Sequence, residues 1–213
     1  MMRKLALILP ALLLAAPATV PAQNATSAAA EMPRAGAYKL EKSHAKLNWD
    51  VSHFGFSTYS GEFTDFDMAA TLDPARPERS SLTATVNMNS VNTNNPALDK
   101  HLATADFFET AKYGKAEFRS TRVERTGPAT ARVTGDLTMR GVTKPLTLDV
   151  RFNKAGQNPL NKAYTVGFDA TGVVKRSLWG VNYAVPAVGD DVKLSFSGEF
   201  NPAQADPRPG VRR

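Results

Sequence analysis

The chain contains no cysteine among its 213 residues. That absence excludes disulfides, thiolate metal sites, thiol-attached haem and a cysteine nucleophile, and with them a lipoprotein anchor. Histidine is almost as scarce, with only His44, His53 and His101. No G-x-S-x-G turn and no Gly-rich phosphate loop occurs, so the usual serine-hydrolase and nucleotide-binding frames are missing. Long apolar runs are missing too. Leu5 to Leu14 is interrupted by Pro10 and is about half the ~20 residues of a membrane-spanning helix.

Strong charge is also lacking once it is located. The formal charge is +6, but six of the 26 cations (Arg3, Lys4, Arg34, Arg208, Arg212, Arg213) and two of the 20 acids (Glu31, Asp206) lie outside Tyr38–Phe200. The remaining stretch is nearly balanced, which makes a poor nucleic-acid binder. The basic start, the apolar run and the small residues at Ala18, Val20 and Ala22 read as a signal peptide over 1–22, cleaved after Ala22, with Ala18 as the second choice. Residues 23–37 read as a flexible linker, 38–200 as one domain, and the Pro- and Arg-rich 201–213 as a disordered tail.

Inside the domain the dominant period is two. Apolar residues alternate with polar ones in eight segments: Ala45 to Val51, Phe66 to Leu72, Leu82 to Met88, 115–125 around Phe118, Val133 to Met139, Leu146 to Phe152, Tyr164 to Val174, and Val192 to Phe200. Turn chemistry separates them at Asp73-Pro74, Gly127-Pro128, Arg140-Gly141 and Gly156 with Pro159. One stretch breaks the rhythm: Asn95 caps and Pro96 opens a helix predicted over 96–103, with a further turn at 106–109. The fold predicted is all-β, an eight-stranded antiparallel up-and-down barrel with a short helix near its mouth.

Parity sorts the connections between the two ends of such a barrel. Loops 53–61, 90–114, 140–142 and 175–190 share one end, and 73–80, 126–130 and 153–162 share the other. The first end holds Phe54, Phe56, Tyr59, Phe107, Phe108, Tyr113, Trp179 and Tyr183, eight of the eighteen aromatics, and the second holds none. The expectation is an apolar mouth at the aromatic end, where barrel sites open, although the same rings could simply plug it. Strand parity and these loops nominate Trp49, Phe54, Phe56, Met88, Leu102, Phe107, Phe108, Phe118, Met139, Phe168, Leu178, Trp179 and Tyr183 as the lining for a long, thin apolar ligand. His53, His101, Arg140, Lys175 and Arg176 are nominated to meet its polar or anionic head. On this reading a charge at Trp179 or Phe108 weakens binding more than one at Phe152. A two-histidine metal site with Asp106 matches no ligand spacing, so no metal is expected, and no catalytic constellation stands up.

Several segments resemble the YceI-like family: His101-Leu102-Ala103-Thr104-Ala105-Asp106-Phe107-Phe108, Gly135 to Pro145 (GDLTMRGVTKP), and Arg176-Ser177-Leu178-Trp179-Gly180. Tyr38-Lys39-Leu40 to His44 and His53-Phe54-Gly55 fit its opening strand and loop, and Gly114 stands where that family commonly has proline. The resemblance covers Tyr38 to Phe200. It implies an extended, lipocalin-like barrel exported to the bacterial periplasm, holding a polyisoprenoid or isoprenoid-quinone amphiphile for transport, storage or stress response. It implies no catalytic residue and no cofactor beyond that lipid. The partners expected are the lipid or quinone and a transient membrane contact, with no nucleic acid, in a monomer or homodimer. Two other readings stay open: a small outer-membrane β-barrel, with the same alternation turned inside out, and an enzyme acting on an isoprenoid lipid.

Overall fold

Strands with one apolar face each can bury all of those faces by closing the sheet on itself, and this sheet does. The computed structural model describes residues 31–203. The signal peptide expected over 1–22, most of the linker and the tail from 204 lie outside them. In chain order the strands are β1 (Gly36–His53), β2 (Ser57–Phe63), β3 (Phe66–Leu72), β4 (Ser81–Asn87), β5 (Val91–Asn92), β6 (Lys115–Arg125), β7 (Thr130–Met139), β8 (Val142–Gln157), β9 (Tyr164–Lys175) and β10 (Val188–Pro202), with helix α1 (Pro96–Leu102) between β5 and β6. Every pairing is antiparallel, and β10 closes onto β1.

Ten segments make an eight-stranded barrel because two walls are broken. β2 pairs with the second half of β1 and β3 with its start, Leu47 facing Phe63 and Tyr38 facing Ala70. The break at Thr64–Asp65 sits beside a bulge in β1 between Glu41 and Lys46. β4 and β5 are likewise split by a 3₁₀ turn at Met88–Ser90, with β5 running beside β2.

β2 is the element that periodicity did not announce. Residues 57–61 fall in the expected loop 53–61, and Gly61 interrupts the apolar face of Tyr59 and Phe63. The glycine is there for space. A Cβ at Gly61 would lie 2.3 Å from Trp49, whose ring covers it. The link between β1 and β2 therefore shrinks to residues 54–56, with Phe54 and Gly55 at positive φ. The helix forms as capping predicts: the Asn95 side chain accepts from the Ala97 and Leu98 amides at 3.2 and 3.3 Å, and Pro96 occupies the first turn.

Both ends of the expected domain are set wider than the alternation indicated. β1 begins at Gly36 and β10 runs to Pro202. Just before β1, the Arg34 guanidinium lies 4.1 Å over the Tyr164 ring, and its carbonyl accepts from Tyr38 Oη at 2.8 Å. This stretch was expected to be linker, but it is held against the barrel.

Candidate functional site

Apolar side chains fill the lumen at one end and leave it hollow at the other. At the aromatic end Trp49, Phe63, Met88, Val91 and Leu102 form a buried cluster, with Phe107, Phe108 and Met139 packed against it. Trp179, 2 % exposed, joins Val174 and Leu146 beside that cluster and donates its indole N–H to Leu137 O at 3.1 Å. The Trp49 indole N–H is the buried side-chain donor left without a partner among the described residues. Its position over Gly61 is a matter of volume, not of hydrogen bonding.

The loops at this end are held by arginines. Arg176 is buried, and its guanidinium donates to four carbonyls: Gly189, Val181, Tyr183 and Val188, at 2.8 to 3.0 Å. Burial lowers its pKa from the ordinary value, and Asp190 opposes that shift. Arg140 donates to Ala105 O and Gly180 O and pairs with Glu109 at 3.3 Å. Gly180 adopts φ 78° and closes the 3₁₀ turn Arg176–Trp179, a left-handed position suited to glycine. Arg140-Gly141, both at positive φ, make the two-residue β7–β8 hairpin turn.

The other end is open. A cavity of about 270 Å³ reaches from the loops at Asp73–Ser80 and Gly127–Thr130, past Met32 and Pro33, to Leu137 and Leu194 in mid-barrel. No residue of loops 53–61, 90–114 or 175–190 lines it. The mouth therefore lies at the end opposite to the one inferred from the aromatic count. The physical reason is volume. The rings of Trp49, Phe63, Phe107 and Phe108, packed with Leu102 and Met88, fill the cross-section, whereas the loops 73–80 and 126–130 carry no aromatic ring to do so.

Two walls face each other across this cavity. Phe152, Phe168, Phe200 and Phe196 form a chain of ring contacts with centroids 5.8 to 6.1 Å apart, along β8, β9 and β10. Across the barrel from them stand Leu82 and Val86 of β4, while Val133 and Leu137 of β7 flank the ring wall beside β8. Phe118 also lines the cavity without crossing it, because its ring lies over Gly135; a Cβ there would fall 2.5 Å from Cζ. Polar groups gather at the rim, where they satisfy one another: Asp73 pairs with Arg76 at 3.1 Å, and Arg125 donates to the carbonyls of Gly127 and Pro128.

Of the thirteen residues nominated as lining, Phe118 and Phe168 are in the cavity wall. Trp49, Met88, Leu102, Phe107, Phe108, Met139 and Trp179 are brought together in the packed end instead. Phe54, Phe56, Leu178 and Tyr183 are exposed around it. The five nominated head-group contacts also sit at the packed end, away from the cavity. His53 lies edge-on to Phe54, His101 bonds Asp106 at 2.9 Å, Lys175 bonds Asp191 at 2.7 Å, and both arginines are committed to the loops. Among the described residues no group of three His, Cys, Asp or Glu converges as a metal site would require. Phe152, Phe196 and Phe200 also line the cavity and were not among those nominated, although their inward parity is legible in the strand alternation.

Residues 38–200 match the YceI-like domain. The chain belongs to the YceI-like family. A UPF0312 protein of Ectopseudomonas mendocina (strain ymp) is 39 % identical over 164 residues, 76 % of this chain and 85 % of that one. The Campylobacter jejuni YceI crystal structure superposes with a TM-score of 0.64 at 30 % identity, covering 70 % of this chain and 88 % of that one. A polyisoprenoid-binding domain from Saccharophagus degradans shares the fold at TM-score 0.58 and 15 % identity, covering 78 % and 98 %. The segments that carry the YceI-like resemblance, 101–108, 135–145 and 176–180, mostly build the packed end and its clamps.

Proposed function

We propose that this YceI-like protein is a periplasmic carrier or store for a polyisoprenoid or isoprenoid-quinone amphiphile, with the tail in the barrel and the head at the rim formed by 73–80 and 126–130. The observation that carries this reading is an apolar cavity, ringed by polar groups at one end only. Its lining side chains lack partner atoms across the lumen, so an inserted chain gains dispersion contacts and removes apolar surface from water. The fold shared with a polyisoprenoid-binding domain adds to the case. At the rim Asp73 pairs with Arg76 and Arg125 bonds the carbonyls of Gly127 and Pro128, which suits binding and release, so the reading is non-enzymatic.

The membrane-barrel alternative finds no support in the faces of the strands. On β8, Leu146, Leu148, Val150 and Phe152 point inward while Thr147, Asp149 and Arg151 are exposed. A lipid-spanning barrel needs the reverse, an apolar outer band.

Native mass spectrometry of protein recovered from its own periplasm tests the proposal. The expected result is a co-purifying isoprenoid. A ligand-free protein whose melting temperature is not raised by added prenyl lipid would overturn it. Recovery solely with outer membranes would overturn the soluble carrier.

A further inference from the structure

We infer that the barrel measures its ligand, and that only about four isoprene units, those at the free end of a prenyl tail, are held inside. The inference rests on the binding reading above and adds a length limit to it.

The limit comes from a floor. Leu47 on β1, Val86 on β4, Leu137 on β7 and Leu194 on β10 line the cavity and also pack against the buried cluster of Trp49, Phe63, Met88 and Leu102. Four strands spaced around the barrel thus contribute one aliphatic layer across it, with large buried side chains directly behind. Met88 and Trp179, each 2 % exposed, are buried on the far side of this layer.

The depth follows from the register. Thr130 at the rim and Leu137 at the floor both lie on β7. Their separation is roughly 23 Å along the strand at ~3.3 Å per residue, or roughly 18 Å along the axis of a barrel whose strands tilt by ~40°. That is close to the ~15 Å of one bilayer leaflet, and far short of a long polyprenyl chain. The volume agrees: about 270 Å³ is small for a ligand cavity. In a longer chain the units nearest the head, and the head itself, extend past the rim at 73–80 and 126–130.

The width is set by glycines. Gly135 lets the Phe118 ring lie along the wall, and Gly172 does the same for Leu148, whose Cδ2 would be 2.7 Å from an added Cβ. Any larger residue at either position pushes a side chain into the lumen. Bore and depth therefore both belong to this chain's own side chains.

The test is a ligand series on the folded protein: farnesol with three isoprene units, geranylgeraniol with four, solanesol with nine, and hexadecanol as an unbranched chain of comparable reach. Affinity is expected to rise about tenfold or more from farnesol to geranylgeraniol and less than about threefold from there to solanesol, because only buried carbons contribute. A further tenfold gain with solanesol would overturn the length limit and leave the binding reading standing. Binding of hexadecanol with no prenyl alcohol bound would overturn the polyisoprenoid reading while retaining a leaflet-deep pocket. Binding of none would overturn both. Leu194→Ala removes part of the floor and is expected to restore a gain with the five-unit geranylfarnesol; no such gain would count against the floor. Leu137→Ala is the second variant should the first fail to fold, and the unmodified protein decides the length limit without either.

Discussion

Replacing Arg176 by leucine separates a structural clamp from a ligand contact. The guanidinium makes four hydrogen bonds to backbone carbonyls of the 181–189 segment while 6 % exposed. At ~1.5–3 kcal/mol for each bond to a charged donor, simple addition gives roughly 6–12 kcal/mol. Much of that is offset, since leucine relieves the desolvation of a buried cation and carbonyls near the surface can turn to water. A net loss of about 3–5 kcal/mol remains, typical of breaking a buried charged network. With a urea dependence of about 2 kcal/mol per molar, the unfolding midpoint should fall by roughly 2 M. Arg176→Lys keeps a charge but not the fork, and should fall in between. Geranylgeraniol affinity of the folded leucine variant should stay within about threefold of the wild type, because Arg176 lies outside the cavity. A stability loss under about 1 kcal/mol, or a tenfold loss of affinity at nearly unchanged stability, would refute the reasoning.

Two further outcomes follow from the same geometry. Phe152→Asp places a charge in the cavity wall and should weaken prenyl binding more than Phe108→Asp, measured on folded protein, with the latter chiefly lowering stability; this reverses the order that the loop aromatics suggested, and equal effects would count against the open-end site. Burial pushes the Asp190 pKa up, but the Ser177 amide and hydroxyl, with Lys175, bring it below the ordinary carboxylate value. A depressed carboxylate contributes stability above its unfolded pKa and loses it as pH falls through the folded one, so urea midpoints should drop from below about pH 4 downward, and Asp190→Asn should flatten that acid limb. An unchanged slope would remove Asp190 from the account.

The particular errors of sequence reading share one cause. Gly61 hid β2 because a glycine at an inward position looks like a break in the pattern, and only the Trp49 ring above it supplies the missing apolar surface. The aromatic loops suggested a mouth because one-dimensional parity tells which end a ring occupies, not whether rings at that end meet. Once they meet, they fill the bore. Lys175 and Arg176 adjoin in sequence and look equally available, but one faces Asp191 in solvent and the other turns inward to four carbonyls.

By itself the sequence determined the strand alternation, the capped helix at Asn95-Pro96, the closure of one antiparallel barrel and the YceI-like kinship, because these depend on local period, turn residues and short motifs. It also determined, through the absent cysteines, that no disulfide holds the barrel together. Only the tertiary structure decided which end is hollow, which phenylalanines line it and how deep it runs. Those properties depend on how side chains from strands far apart in sequence share one cross-section, and no single segment contains that sum.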